Sequence, residues 1–91
     1  MRRLRLSSDL LTLQVIDVNG PVANIDAITS IVLKLADGSM IGLRPGHAPL
    51  IGALDDGQLR YVRQGTPAHL PVKAGILTVY QNKVKILTTA L

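Results

Sequence analysis

The sequence contains no cysteine, tryptophan, phenylalanine or glutamate. Without cysteine there is neither a disulfide framework nor a thiolate metal site. Without Phe or Trp, and with only Tyr61 and Tyr80 in that class, the core has to be assembled from Val, Ile and Leu. The missing glutamate removes a good helix former. All six acids, Asp9, Asp17, Asp26, Asp37, Asp55 and Asp56, are of the type that favours turns. No apolar run nears the roughly 18–20 residues that span a bilayer. The opening Met1-Arg2-Arg3-Leu4-Arg5-Leu6-Ser7-Ser8 has a basic head but no apolar stretch of signal-peptide length. These absences predict a soluble, cytoplasmic chain.

At 91 residues the chain is sized for one domain. Nearly half of it, 47%, is apolar, and the mean hydropathy is +0.32, which supplies a core and argues against disorder. The formal charge is +4; without Arg2, Arg3 and Arg5 it falls to +1. The basicity therefore belongs mostly to residues 1–9, expected to form a flexible arm, while the body is close to neutral. Such a head can touch phosphates or anionic lipid, or can simply be a solvated terminus.

Strand patterns run along almost the whole chain. Leu11, Leu13 and Val15 alternate with Thr12 and Gln14, the period-2 mark of a half-buried strand. The phase slips at Ile16 and Val18, as a bulge or a strand covered on both faces would require. Asn19-Gly20-Pro21 marks a turn before a short strand over 22–25. A β-branched run over 27–36 puts Ile31, Leu33 and Leu35 on one face and Lys34 on the other, and Asp37-Gly38 closes it. Strands are expected over 40–43, 50–54, 58–63, 69–72, 76–80 and 83–88. Gln64-Gly65-Thr66-Pro67 and Gln81-Asn82 serve as turns, and Pro45-Gly46 suits the centre of a type II turn. The spacing predicts an all-β sandwich or barrel of about nine short strands.

Chemistry-bearing constellations are absent. His47 and His69 stand far apart without further ligands at metal spacing, so no metal site is expected. His69 falls in a strand. His47 lies in the Pro-Gly loop, where it can either serve function or hydrogen-bond loop backbone. Asp55-Asp56 before Gly57 reads as a turn, since neighbouring strand residues point to opposite faces. No G-x-S-x-G, G-x-x-x-x-G-K-[ST] or G-x-G-x-x-G occurs. Two tyrosines make a poor stacking platform for single strands, so no nucleic-acid partner is expected. The residues point to a binding protein with no catalytic group and no cofactor.

One stretch is more specific. Gly38-Ser39-Met40-Ile41-Gly42-Leu43-Arg44-Pro45-Gly46-His47-Ala48-Pro49-Leu50 resembles the signature of the epsilon subunit of F-type ATP synthases, called delta in mitochondria. Gly57-Gln58-Leu59-Arg60, Ala74-Gly75-Ile76-Leu77-Thr78-Val79 and Asn82-Lys83-Val84-Lys85-Ile86-Leu87 resemble the family's later strands in the same order. The resemblance covers roughly residues 11–91. It implies a two-sheet β-sandwich of about ten short strands in the central stalk. There it would bind the gamma subunit and the c-ring and help couple proton (or sodium) transport to ATP synthesis, with no chemistry of its own. It implies a peripheral place at the cytoplasmic face of a bacterial inner membrane. Ser39, Met40, Arg44, His47 and Leu50 are the partner-contact residues it suggests. Gly42, Pro45, Gly46 and Pro49 would shape the loop, Gly42 through a bulge or tight packing.

The sequence departs from the family pattern in three ways. Met40 stands where many members carry an acid, so the contact there is expected to be apolar and adaptable. Ala74 replaces the first glycine of a pair. Residues 1–91 form one expected domain without the family's two C-terminal helices, so neither an ATP site nor inhibition by such helices is expected. The alternatives from the residues alone are a free-standing basic module for nucleic acid or anionic surfaces, resting on the arginine head, and a small hydrolase assembled from Asp and His.

Overall fold

The computed structural model describes residues 10–88. Eight strands, and no helix among the described residues, make up the fold: β1 (Leu11–Asp17), β2 (Gly20–Lys34), β3 (Met40–Leu43), β4 (Leu50–Leu54), β5 (Gly57–Arg63), β6 (Thr66–Val72), β7 (Gly75–Tyr80) and β8 (Lys83–Thr88). They follow the hydrogen-bonded order β4-β7-β8-β1-β2-β5-β6, with β3 also on β2. All pairs are antiparallel except β1 with β8.

The count is eight because two of the expected strands are one. Segments 22–25 and 27–36 fuse into the 15-residue β2, which passes through Ala27 at φ 58° instead of turning there. β2 is longer than the strands it pairs with. Leu11 and Leu13 face Ile28 and Ile25; Val15 and Ile16 face Ala23 and Pro21; Ile28 and Ser30 face Arg63 and Val62. In each of these three places the surplus residue is on β2, the geometry of a β-bulge, which bends the strand that carries it. The slip expected in β1 near Ile16 thus arises from an extra residue on its partner.

The bends carry β2 from one layer to another. Ile28 pairs with both Leu11 and Arg63, and Ile31 with both Leu43 and Tyr61. So β1 and β3 share one edge of β2, in succession, and β5 takes the other. The first layer is β4, β7, β8, β1 and the start of β2; the second is β3, the end of β2, β5 and β6. Both layers feed a single core, with Leu13, Val15, Leu77, Val79, Val84 and Ile86 from the first and Ile31, Leu33, Leu43, Leu59 and Val72 from the second. One core shared by two layers requires them to face each other, which is a β-sandwich. Every buried apolar residue is Leu, Ile or Val. Past β2, Leu35 bridges Leu54 of β4, the Ala36 amide donates to the Ala53 carbonyl at 2.9 Å and the Asp55 amide to the Lys34 carbonyl at 3.2 Å, linking the layers a second time.

Turn chemistry follows residue type. Gln64-Gly65 (φ 53°, 76°) and Gln81-Asn82 (φ 49°, 64°) each hold two positive φ values between paired strand ends, the type I′ geometry whose twist matches antiparallel strands. The turn after β5 is therefore shorter than Gln64–Pro67, and β6 begins at Thr66 rather than His69. Arg63 and Thr66 close the two-residue turn as a hydrogen-bonded pair, so Pro67, His69 and Pro71 turn their backbones away from β5. Proline is tolerated there because β6 is an edge strand and no N–H is needed, and it blocks addition of a further strand. Asp55-Asp56 is a turn device. The Asp56 carboxylate accepts from the Ala74 amide at 2.6 Å, and Asp55 accepts from the Asp56 amide and sits 3.5 Å from Lys34 Nζ.

Gly75 is required by packing. A Cβ there would lie 2.8 Å from Thr88 Cα and closer still to the Leu87 carbonyl oxygen, both backbone of the paired strand β8. Backbone cannot yield as a side chain tip can, so Gly75→Ala is expected to cost about 1–3 kcal/mol. Urea denaturation of the two chains measures this; an unchanged midpoint would contradict the close approach.

Candidate partner-binding surface

The loop between β3 and β4 is built on its own turn. The His47 amide donates to the Arg44 carbonyl at 3.1 Å, with Pro45 and Gly46 between them and Gly46 at φ 86°. Proline sets the first central φ and glycine takes the positive one, as a type II turn requires. His47 Nδ1–H donates to the Ala48 carbonyl at 2.7 Å, which fixes the ring against its own loop. The loop is also held from outside. Asn82, at the tip of the β7–β8 hairpin, accepts the Gly46 N–H at 2.7 Å through its side-chain oxygen, and its own carbonyl accepts the Thr12 N–H at 2.9 Å. One residue thus ties together the loop, the hairpin tip and the start of β1. Nothing local in the sequence marks Asn82 for this, because the contact spans 36 positions.

The expected contact residues fall at two ends of β3. Ser39 and Met40 lie at the hairpin between β2 and β3; Arg44 and His47 lie beyond the other end, and Leu50 opens β4 opposite Val79. Met40 and Arg44 are exposed, Met40 to 61%, whereas His47 and Leu50 are half-buried. Pro49 is exposed in the loop. Ser39 is engaged within the chain: its amide and hydroxyl both donate to the Asp37 carboxylate, at 2.9 and 2.6 Å. The hydroxyl bond, then the amide bond, holds the Asp37 carboxyl below its ordinary 3.8.

Gly42 has none of the backbone duties expected of it. It sits in register opposite Val32 with no bulge in the β2–β3 ladder, and it is not among the positive-φ residues. A Cβ built on it meets nothing within 4 Å. Its outward face instead floors an open groove of about 410 Å³ running from Ser30 and Val32 to the Arg44–His47 turn. A second groove of about 220 Å³ shares Ser30 and Val32 and continues to Arg60 and His69. Gly42, Val32, Arg60 and His69 form one cross-strand row of the second layer's outer face. In a neighbouring row Lys34 pairs with Met40, and its Nζ meets the Asp55 carboxylate at 3.5 Å. Among the described residues Arg44 and Arg60 have no ion pair. Composition alone conceals this basic face, because the body's charge is nearly balanced overall.

No cluster of three or more His, Asp or Glu side chains able to hold a metal occurs among the described residues. The surface offers an open groove, exposed guanidinium groups and a loop tied to Asn82 by a hydrogen bond.

Residues 10–91 match the family described as ATP synthase, Delta/Epsilon chain, beta-sandwich domain. The chain is 37% identical over 83 residues to the ATP synthase epsilon chain of Carboxydothermus hydrogenoformans, covering 91% of this chain and 60% of that one. It is 38% identical over 65 residues to that of Lawsonia intracellularis, covering 71% and 48%. The matches span about half of these relatives' length. Among solved structures, a chain of the Euglena gracilis mitochondrial ATP synthase OSCP/F1/c-ring assembly is similar with a TM-score of 0.77 at 18% identity, over 90% of this chain and 52% of that one. A chain of the Tetrahymena thermophila mitochondrial ATP synthase central stalk/c-ring is similar with a TM-score of 0.67 at 15% identity, over 88% and 63%. At these identities the likeness is one of fold.

Two outcomes follow from the hydrogen bonds. Asn82→Gly keeps the positive φ and removes the side-chain acceptor. It is expected to lower stability by about 1 kcal/mol and to speed amide exchange at Gly46 while the hairpin persists, as hydrogen exchange by NMR would show. Because the Asp37 carboxyl is held low, the turn's contribution is present above pH 3.8 and is lost as pH falls through the lower folded value. Ser39→Ala is expected to raise the Asp37 titration midpoint toward 3.8, read by carboxyl NMR.

Proposed function

The chain belongs to the ATP synthase delta/epsilon family, to its β-sandwich domain, and from that premise we propose that it is a non-catalytic rotor subunit of an F-type ATP synthase. In this reading it binds the gamma subunit and the c-ring in the central stalk and couples proton (or sodium) transport through the ring to ATP synthesis at the catalytic head. It is peripheral to the membrane, at the cytoplasmic face of a bacterial inner membrane, through the complex. The single observation that carries the reading is the family match over residues 10–91, on a sandwich whose Pro45-Gly46 loop is present and braced. The similar solved chains belong to assemblies of a c-ring and a central stalk, which lies in the same direction.

The role requires stiffness. A coupling element placed between a turning shaft and a ring transmits torque only if it deforms less than its interfaces do. Packed interiors are dense and of low compressibility. Here two layers share one aliphatic core, are joined by a continuous strand and are linked again at Leu35–Leu54. Beside this core, the loop is tied to Asn82 through the Gly46 N–H.

Co-expression with the gamma subunit of the same genome is the direct test. A one-to-one complex on size-exclusion chromatography is the expected result. Separate elution at micromolar concentration, combined with salt-sensitive retention on nucleic acid or anionic vesicles, would overturn the reading in favour of a free-standing basic module.

A further inference from the structure

Glycine in a strand weakens it, and it persists where something needs the space or the backbone freedom. Gly42 uses neither within this chain: its φ is not in the left-handed region, its ladder is regular, and a Cβ would meet nothing within 4 Å. The space it leaves is the floor of the groove beside the Arg44–His47 turn. The walls near Gly42 are apolar, from Val32 and Pro45, and Arg44 lines the same groove; Arg60 stands in the cross-strand row of Gly42, beyond Val32, and lines the adjoining groove. Both guanidinium groups are exposed and without an ion pair among the described residues. β3 is an edge strand, so the groove is open from the side as well as from above. We propose that the groove over Gly42 is a receptor for an apolar side chain of the gamma subunit that is flanked by carboxylates, and that the missing side chain at position 42 sets the fit.

This rests on the rotor reading and deepens it. The apolar walls exclude water from the inserted group, which supplies affinity. The two arginines select acidic neighbours and steer the approach, a contribution screened by salt. Filling the floor blocks entry without disturbing the sandwich, because the same open space that receives the partner also receives a new side chain. Valine is moreover a better strand residue than glycine.

The test measures gamma-subunit affinity and thermal stability together, on the full chain and on Gly42→Val and Arg60→Gln. Gly42→Val is expected to keep or raise the melting temperature while weakening gamma binding at least tenfold. Arg60→Gln is expected to weaken it about threefold or more at low salt and to flatten its salt dependence. Failure of the unmodified chain to bind gamma overturns the rotor reading and this inference with it. Binding by the unmodified chain that Gly42→Val leaves within twofold overturns the inference alone. Should Gly42→Val fold poorly, Gly42→Ala is read instead, and an affinity unchanged in that variant together with unchanged binding by Arg60→Gln overturns it equally.

Discussion

The bending of β2 makes the sandwich possible. An unbent 15-residue strand would run well past both of its neighbours and leave one face of each layer without cover. Three surplus residues, spread along its length, turn it from β1 toward β3 and β5. The bend at Ala27 is braced from outside: Arg63 Nε donates to the Asp26 carbonyl at 2.9 Å, and its guanidinium lies 3.4 Å from the Asp26 carboxylate. Holding Ala27 at φ 58° costs on the order of 1–2 kcal/mol for a residue with a Cβ. The closure of an all-aliphatic core on both sides offsets it.

From that bend the surface follows. Because β3 joins the same edge of β2 that β1 has just left, the loop after β3 has to return to the first layer to start β4, and it passes the tip of the β7–β8 hairpin on the way. Asn82 meets it there. The same path leaves β3 at an edge, with Gly42 outward and Val32 and Arg60 in the next positions of its row. Fold and proposed binding face are thus one construction, with the groove bounded by backbone that the strands hold.

Much of the sandwich is legible in the sequence. Alternation in 11–15, 31–35 and 83–86 places the buried residues on one face, as the structure has them, and the scarcity of aromatic residues foretells a Leu, Ile and Val core. The strand count is not legible, because a bulge at Ala27 and a turn look alike in a pattern of residue types. The start of β6 is hidden for a related reason: Pro67 reads as a turn until its place on an edge is known. At the surface, the loop motif is visible from Pro45-Gly46-His47 alone. Its division between two ends of β3, its tie to Asn82, and the basic row through Arg60 and His69 are not, since each depends on which strands become neighbours.

The outer side of the second layer, around β3 and the loop beyond it, is the face proposed to bind gamma. Amide chemical-shift mapping of the isotopically labelled chain, free and bound to gamma, tests it most directly. The largest changes are expected to gather at Val32, Gly42, Arg44–His47 and Arg60, with the outer face of β4, β7 and β8 little altered. Changes concentrated instead around Ile51, Ile76 and Leu87, the exposed apolar residues of the first layer, would contradict it.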